Sequence, residues 1–263
     1  MNILEKIVLR KQEEVTIAKA SVSVAELSAS SHFERQTYSF KDFLLNPACT
    51  GIIAEFKRRS PSKGIINDRS TVEEVTTAYA AAGASALSVL TDIDFFGGHP
   101  QDVVKARAVN DIPILRKEFI IDAYQLFEAK ALGADIVLLI AAILTPKQIA
   151  DLTKEAKQLG LNVLLEVHNL EELERSLCEG IDAVGVNNRN LNDFTVNIQT
   201  SFELAEKIPS DFMKISESAI SDTDTIKALK QVGFQGFLIG ETFMKTDNPG
   251  LAMQDFASRL ISV

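Results

Sequence analysis

The stretch Ile53-Ala-Glu-Phe-Lys-Arg-Arg-Ser-Pro-Ser-Lys-Gly64 combines the end of a buried strand with a charged loop. The apolar run Gly51–Ala54 predicts the strand, and Glu55 and Lys57, two residues apart, point to the same side of an extended chain. The strand cannot continue into Ser60-Pro-Ser-Lys-Gly64, because proline lacks the N–H donor and glycine and serine favour a turn. This pattern is typical of one wall of an active site at the C-terminal end of a strand.

A strand-then-helix alternation continues from Gly51 to the end of the chain. The predicted strands are Gly51–Phe56, Ala84–Leu90, Ile112–Arg116, Asp135–Ile140, Asn162–Val167, Ala183–Asn187, Phe212–Ser216 and Gly236–Ile239. The predicted helices are 71–82, 99–109, 122–132, 146–159, 169–179, 197–207, 222–232 and 248–261, the first with capping-box spacing in Ser70-Thr-Val-Glu73. Most strands are continuous apolar runs, as in parallel sheets covered on both faces. The 263 residues therefore predict an α/β fold, a (β/α)8 TIM barrel.

Residues 1–48 precede this alternation. They contain apolar positions at helical spacing over residues 2–20, a serine-rich polar stretch, and a short helix that begins after Ser39. The segment is too short and too poor in core residues to fold alone. We therefore predict one barrel domain over residues 1–263, with residues 1–48 as a helical N-terminal extension packed on the barrel. A doubly wound open sheet is the alternative, and the absence of a Gly-x-Gly-x-x-Gly turn after the first strand disfavours it.

Composition narrows the class of protein. The net charge of −9 disfavours a nucleic-acid surface, and no apolar run reaches the roughly 20 residues of a membrane span. Cys49 and Cys178 have no metal or redox spacing, and the scattered His32, His99 and His168 disfavour a metal site. We expect a cytoplasmic enzyme that binds neither nucleic acid nor membrane, and we favour a monomer over an oligomer.

Charged and polar residues accumulate at the predicted strand ends, where the active sites of such barrels lie. They are Glu55 and Lys57, Arg116 to Glu118, Glu166, Asn187 to Arg189, Glu217 and Ser218, and Glu241. A single charged strand end is usually a solvated terminus, but repetition around one mouth indicates a site. Lysines and carboxylates brought together there shift one another's pKa, which is the usual arrangement for acid–base chemistry.

Two further groups indicate what the site binds. Ser218 and the backbone around Gly240-Glu241 could present N–H donors to a phosphate, and Ser60 and Lys63 of the first loop could reach the same anion. Phe96 and Phe119 place aromatic rings beside the charged set. Those rings suit either packing at the rim or a flat slot for an aromatic substrate moiety.

These residues form motifs that resemble those of the indole-3-glycerol phosphate synthase family, from about residue 3 to residue 260. The motifs are Glu55-Phe-Lys57 with Ser60-Pro-Ser-Lys-Gly64, Leu90-Thr-Asp92 with Phe95-Phe-Gly-Gly98, Leu115-Arg-Lys117-Glu-Phe-Ile-Ile-Asp122, Leu165-Glu166, Gly185-Val-Asn-Asn-Arg189-Asn-Leu191 and Ile215-Ser-Glu217-Ser218. The resemblance implies ring closure of 1-(2-carboxyphenylamino)-1-deoxyribulose 5-phosphate to indole-3-glycerol phosphate, with loss of CO2 and water and without metal or organic cofactor.

The resemblance also implies a role for each matching residue. Lys117 would be the general acid that protonates the ketone oxygen, and Lys57 would hold the substrate carboxylate and donate a proton in dehydration. Glu166 would be the acid–base partner in dehydration, and Glu55 would orient the lysines. Asn187 and Glu217 would contact the sugar hydroxyls, and Ser60, Ser218 and Gly240-Glu241 would bind the phosphate. Arg189 would bridge its strand to the first loop. Phe96, Phe119 and Leu191 would form the pocket for the anthranilate ring.

Three positions depart from the family pattern. Glu118 and Asn190 stand where aspartate is common, and Ala219 stands where glycine is common. A glycine there would allow a positive φ or a close approach of the backbone to phosphate, so alanine would shift the loop or weaken phosphate binding.

Two other functions are alternatives, a class I aldolase and a non-catalytic phosphosugar-binding barrel, and a third, that of a related isomerase, is disfavoured. A class I aldolase would use Lys117 or Lys57 as a Schiff-base amine, which requires a depressed lysine pKa. Phosphoribosylanthranilate isomerase, a sister barrel, uses a cysteine–aspartate pair, and no cysteine lies at a suitable strand end here. A non-catalytic phosphosugar-binding barrel would need charge, but not two lysines together with Glu166.

Overall fold

A computed structural model of the protein describes residues 2–190 and 194–261. Within them, parallel strands close into a barrel in the order β1-β10-β9-β8-β7-β6-β5-β4, and a two-stranded hairpin, β2–β3, follows β1. The strands are β1 Ile52–Phe56, β2 Arg59–Ser60, β3 Gly64–Ile65, β4 Ala86–Leu90, β5 Ile114–Lys117, β6 Ile136–Ile140, β7 Asn162–Val167, β8 Ala183–Asn187, β9 Met213–Glu217 and β10 Gly236–Ile239. The TIM-barrel prediction is confirmed.

The first three helices belong to the N-terminal extension, and those that follow β1 alternate with the barrel strands and cover them outside. They are α1 Ile3–Ser21, α2 Val24–Ser28, α3 Phe40–Leu44, α4 Val72–Ala81, α5 Pro100–Val109, α6 Tyr124–Leu132, α7 Pro146–Gln158, α8 Leu170–Ser176, α9 Gln199–Ala205, α10 Thr223–Gln231, α11 Glu241–Met244 and α12 Pro249–Ile261. The predicted capping box was wrong by one residue, because Thr71 caps α4 and exchanges hydrogen bonds with Glu74. No helix in these two ranges is long and apolar enough to cross a membrane.

The interior of the barrel is organised by the alternation of side chains along each strand. On β1, Ile53 belongs to the apolar cluster inside the barrel, and Glu55, two residues on, reaches the mouth cleft. The same alternation holds on β5 and β9. Leu115 and Ile215 belong to the apolar cluster, and Lys117 and Glu217, two residues further on, reach the cleft. The apolar layer therefore lies deep in the barrel, and the charged layer lies at the C-terminal ends of the strands.

The N-terminal extension closes the opposite end of the barrel. Phe40 and Leu44 of α3 are buried in the same cluster as Ile53 and Ile215. Ser39 accepts the N–H of Asp42 and so starts α3 as predicted. The short helix α3 therefore fills the end of the barrel that lies away from the charged mouth.

A buried carboxylate holds the extension in place. Asp135 is fully buried, and it pairs with Arg35 of the extension (2.7 Å) and with Arg107 of α5 (2.8 Å). It also accepts the backbone N–H groups of Tyr38 and Ile114, each at 2.8 Å. Four donors satisfy this charge, so the polypeptide before β1 is fixed to the barrel by both polar and apolar contacts.

We predict that Leu44→Ala will lower the free energy of unfolding by about 2–5 kcal/mol, because it leaves a cavity in a packed interior. The control is Leu45→Ala, since Leu45 is 49% exposed whereas Leu44 is 4% exposed; its effect should stay within about 0.5 kcal/mol. Urea denaturation measures both values. Equal effects of the two substitutions would show that α3 does not fill the barrel.

Candidate active site

The centre of the charged layer is the ammonium group of Lys117, at the end of β5. Its Nζ lies 3.0 Å from Glu166 Oε2 on β7 and 2.8 Å from Glu217 Oε2 on β9. Both carboxylates are almost fully buried, whereas the Lys117 side chain keeps 17% of its surface exposed to the cleft. A charged donor is therefore held by two acceptors at a point that a substrate can reach.

A second lysine lies just after β1, which is separated from β5 by β4. Lys57 Nζ lies 2.7 Å from Glu55 Oε1, and the hydroxyl of Ser88 on β4 donates to the other oxygen of Glu55 at 3.3 Å. Lys57, Lys117 and their three carboxylate partners line one cleft of about 140 Å³. The two lysines predicted as acid and anchor therefore face the same space.

Two glycines make room for the buried carboxylates. A Cβ atom on Gly185 would lie 2.1 Å from Glu217 Oε1, and one on Gly240 would lie 2.6 Å from Glu55 Oε1. No side chain can be added at either position without moving a carboxylate. Gly240, predicted from its place near the phosphate, thus also shapes the acid–base cluster.

Asn187, at the end of β8, connects the acid–base cluster to the neighbouring loop. Its amide Nδ2 donates to Glu166 Oε1 at 3.2 Å. Its Oδ1 accepts the Ser218 hydroxyl and the Arg189 backbone N–H, both at 3.0 Å. The side chain therefore has a fixed orientation, and Ser218 and Arg189 are held beside the cluster.

The carboxylates and Lys117 shift one another's pKa values. Burial alone would lower the pKa of Lys117, but the charges of Glu166, Glu217 and Glu55 outweigh it and raise that pKa. Burial would raise the pKa of Glu166, yet the Lys117 charge and His168 lower it. For Glu217, burial and the charges of Glu166 and Glu55 prevail over Lys117 and raise the pKa to about 7. The cluster thus holds one firmly ionised carboxylate and one that changes charge near neutral pH.

His168 is a member of this cluster that the sequence reasoning missed. Its Nε2 lies 3.4 Å from Glu166 Oε1, and its Nδ1 lies 3.0 Å from Glu172 Oε2. Burial would lower the pKa of His168, but hydrogen bonds and charge from both carboxylates raise it to about 10. The spacing Glu166-x-His168 at a strand end could have identified it, since residues two apart share a face. Its imidazolium helps to keep Glu166 ionised.

A second cleft of about 470 Å³ adjoins the first and is lined by Lys63, Arg189, Ser218, Gly240 and Glu241, all predicted to bind the substrate or its phosphate. Lys63 Nζ and Arg189 Nη2 each lie 3.6 Å from a different oxygen of Glu241. Lys63 of the first loop and Arg189 of the loop after β8 therefore both contact Glu241. Through Glu241, Arg189 is linked to the first loop. Ser60, on the same loop, lies at the first cleft, with its hydroxyl 3.4 Å from that of Ser62.

The aromatic end of the first cleft lies next to the N-terminal extension. The rings of Phe96 and Phe119 are 5.8 Å apart between centroids. Ile3 and Leu4 of α1 line the same cleft, so the extension contributes to it directly. Leu191, predicted for this pocket, lies outside the described residues.

Within the described residues, no group of three or more His, Cys, Asp or Glu side chains has the arrangement of a metal site. The fold and the cluster together define a TIM-barrel enzyme with an acid–base centre beside a cleft that carries cationic groups. The chain belongs to the indole-3-glycerol phosphate synthase family, whose model matches residues 4–256. As a member of this family, it is a carboxy-lyase of tryptophan biosynthesis.

Two curated relatives illustrate the similarity. The indole-3-glycerol phosphate synthase of Bacteroides thetaiotaomicron is 49% identical over 255 residues, which cover 97% of each chain. That of Legionella pneumophila (strain Paris) is 42% identical over 256 residues, covering 96% of this chain and 97% of the relative.

Solved structures support the fold alone. The 3-hexulose-6-phosphate synthase of Salmonella typhimurium superposes with a TM-score of 0.61 at 13% identity, covering 80% of this chain and 98% of that chain. A chain of the tryptophan synthase complex of Pyrococcus furiosus gives a TM-score of 0.59 at 14% identity, covering 82% of this chain and all of that one.

We predict that Ala219→Gly will raise the free energy of unfolding by about 0.5–1 kcal/mol. Ala219 has a φ of +62°, and a left-handed conformation costs a non-glycine residue about 1–2 kcal/mol, partly offset by the greater chain entropy of unfolded glycine. The control is Ala252→Gly inside α12, which should instead lower stability by about 1 kcal/mol. Urea denaturation of the pair checks the sign, and a loss of stability in both would contradict the strain at residue 219.

Proposed function

We propose that this chain closes the pyrrole ring of indole-3-glycerol phosphate from 1-(2-carboxyphenylamino)-1-deoxyribulose 5-phosphate, with Lys117 as the general acid. The observation that carries the proposal is the placement of the Lys117 ammonium between Glu166 and Glu217, facing the cleft. Ring closure turns the ketone oxygen into a hydroxyl, so a proton donor is needed where that bond forms. A charged lysine with a fixed direction supplies it.

The other charged groups suit the rest of the reaction. Lys57, paired with Glu55 at 2.7 Å, holds the substrate carboxylate until CO2 leaves and the benzene ring regains its aromaticity. The new hydroxyl then leaves as water, which requires an acid for the oxygen and a base for a proton of the adjacent ring CH2, so that the C2–C3 double bond of the indole forms. Lys57 serves as that acid and the ionised Glu166 as that base. Asn187 and Glu217 bind the sugar hydroxyls.

The ends of the substrate are assigned to the two clefts. The phosphate binds in the second cleft, near Lys63, Arg189, Ser218 and the backbone of Gly240-Glu241, and Ser60 approaches it from the first loop. The anthranilate ring lies between Phe96 and Phe119, which face the first cleft. The family resemblance alone supports a contact of Leu191 with the same ring.

Lys117 does not suit the aldolase alternative. A Schiff-base amine must be neutral to attack a carbonyl, and a depressed pKa makes it so. The neighbouring carboxylates raise the pKa of Lys117 instead. A non-catalytic barrel, in turn, has no need of an ammonium held between two buried carboxylates.

Beyond the reaction, we propose a single domain over residues 1–263 that acts in the cytoplasm as a monomer. The net charge of −9 supports the further proposal that nucleic acid is not a partner. The substrate is a small phosphorylated molecule, as the family implies, and no cofactor takes part in the steps proposed here.

We predict that Lys117→Ala will lower kcat by about 10²–10⁴-fold, the usual contribution of a positioned acid, while the protein stays folded. The assay mixes the protein with the substrate and follows indole fluorescence, with little background because the chain contains no tryptophan. Lys105→Ala is the matched control, since Lys105 pairs with Glu73 on the outside of the barrel. Lys57→Ala should raise KM and lower kcat together.

A Lys117→Ala protein with near wild-type kcat would remove the proposed acid. A wild-type protein without turnover would contradict the reaction itself. Trapping with borohydride and a ketose phosphate then tests the aldolase alternative.

A further inference from the structure

A lysine of the N-terminal extension is buried beside the aromatic end of the cleft. Lys11 lies on α1, and its side chain is only 3% exposed. Its Nζ lies 2.8 Å from Asp92 Oδ2, which follows β4, and 3.0 Å from Glu118 Oε1, which follows β5. It also contacts Glu14 on its own helix at 2.7 Å. One ammonium therefore joins the extension to two neighbouring strand ends.

Asp92 connects this ammonium to the first ring of the pocket. While one oxygen faces Lys11, the other accepts the backbone N–H groups of Phe95 at 2.7 Å and Phe96 at 3.0 Å. Asp92 is 1% exposed, so these contacts are screened little by water. The position of Asp92 therefore fixes the segment that carries the Phe96 ring.

Glu118 does the same for the second ring. The oxygen that faces Lys11 also accepts the backbone N–H of Phe119 at 2.9 Å. The other oxygen accepts the Thr91 hydroxyl at 2.7 Å. Because Asp92 and Glu118 converge on one Nζ atom, the distance between the segments of Phe96 and Phe119 depends on that atom.

The Lys11 ammonium and the carboxylates of Asp92 and Glu118 stabilise one another's charged forms. Burial would lower the pKa of Lys11, but the charges of Glu118 and Asp92 outweigh it and raise that pKa. The pKa of Glu118 is lowered although burial opposes this, because Lys11 and Arg116 are near. Without a cation at residue 11, two buried carboxylates would face each other, which strongly favours their separation or protonation.

We propose that Lys11 is a positioning residue that sets the width of the aromatic end of the substrate cleft. The proposal rests on the function proposed above, in which Phe96 and Phe119 hold the anthranilate ring. Lys11 does not touch the reacting atoms; it acts through Asp92 and Glu118. The same ammonium also holds α1 where Ile3 and Leu4 line the cleft, so one residue places both the rings and the helix beside them.

The test separates the two ends of the substrate. Anthranilate and inorganic phosphate are used as inhibitors, since each represents one end. Lys11→Met should raise the inhibition constant of anthranilate and the KM of the substrate about tenfold, with the phosphate constant and kcat changed less than twofold. Lys11→Arg restores the cation and should recover most of the anthranilate affinity.

The matched control is Lys19→Met. Lys19 also joins α1 to the barrel, through Asp122 at 2.7 Å, but on the exposed surface and outside both clefts. Lys19→Met should leave both inhibition constants, the KM and the kcat unchanged. If Lys11→Met does not fold, Asp92→Asn keeps the shape of its side chain, removes one charge of the pair and should also weaken anthranilate selectively.

If Lys11→Met weakened the binding of anthranilate and of phosphate equally, the proposal would be overturned, because this result would indicate a general loosening of the structure. Unchanged anthranilate affinity would overturn it as well. Failure of the proposed function is distinguishable, since wild-type protein would then show no turnover, whatever residue 11 does to anthranilate binding.

Discussion

The ammonium of Lys117 between Glu166 and Glu217 is the interaction on which the rest of the site depends. Without that cation, carboxylates from β7 and β9 would be buried near a third, Glu55, with too little compensation for their loss of hydration. With it, Glu166 stays ionised and can act as a base, while Lys117 stays charged and can act as an acid. Each group thus has the protonation state that its proposed role requires.

Two features of the barrel make this charged cluster possible. Side chains alternate in direction along each strand, and two positions beside the carboxylates are glycines. Alternation places an apolar residue two positions before each of Glu55, Lys117, Glu166 and Glu217, so these four charged groups meet at the mouth. Gly185 and Gly240 leave the space that the carboxylates of Glu217 and Glu55 occupy. The glycines are therefore as necessary to the acid–base cluster as the groups that carry charge.

The N-terminal extension contacts both ends of the barrel. At one end, Phe40 and Leu44 complete the interior cluster. At the other, Ile3 and Leu4 line the cleft, and Lys11 bridges the acidic residues behind the pocket aromatics. A segment too small to fold alone thus contributes to both stability and the binding site.

The sequence was most informative where a pattern repeats. Continuous apolar strands at regular spacing predicted the barrel, and charged residues at their ends predicted the cluster around Lys117. Lys117 and Glu217 were expected just after their strands but lie within β5 and β9, because hydrogen bonding extends each strand by one residue.

Features without a repeated pattern escaped prediction. Helix α2 and the β2–β3 hairpin lie in polar stretches that lack periodicity. The contacts of Lys11 and His168 join residues through tertiary packing, and spacing along one element could suggest at most that His168 shares a face with Glu166. Ala219 was noticed as a departure from the family, and its positive φ gives the physical reason why glycine suits that position.

The most direct test of the Lys117 cluster is a titration of its carboxyl groups by NMR, with ¹³C at the glutamate side chains. Glu166→Gln and Glu217→Gln proteins assign the two signals. We expect Glu217 to titrate near pH 7, since its pKa is raised to about that value, while Glu166 stays ionised down to acid pH. Because the Glu166 charge raises the Glu217 pKa, Glu166→Gln should move the Glu217 midpoint to lower pH. Independent titration of both groups near pH 4–5, the ordinary range of glutamate, would contradict the account.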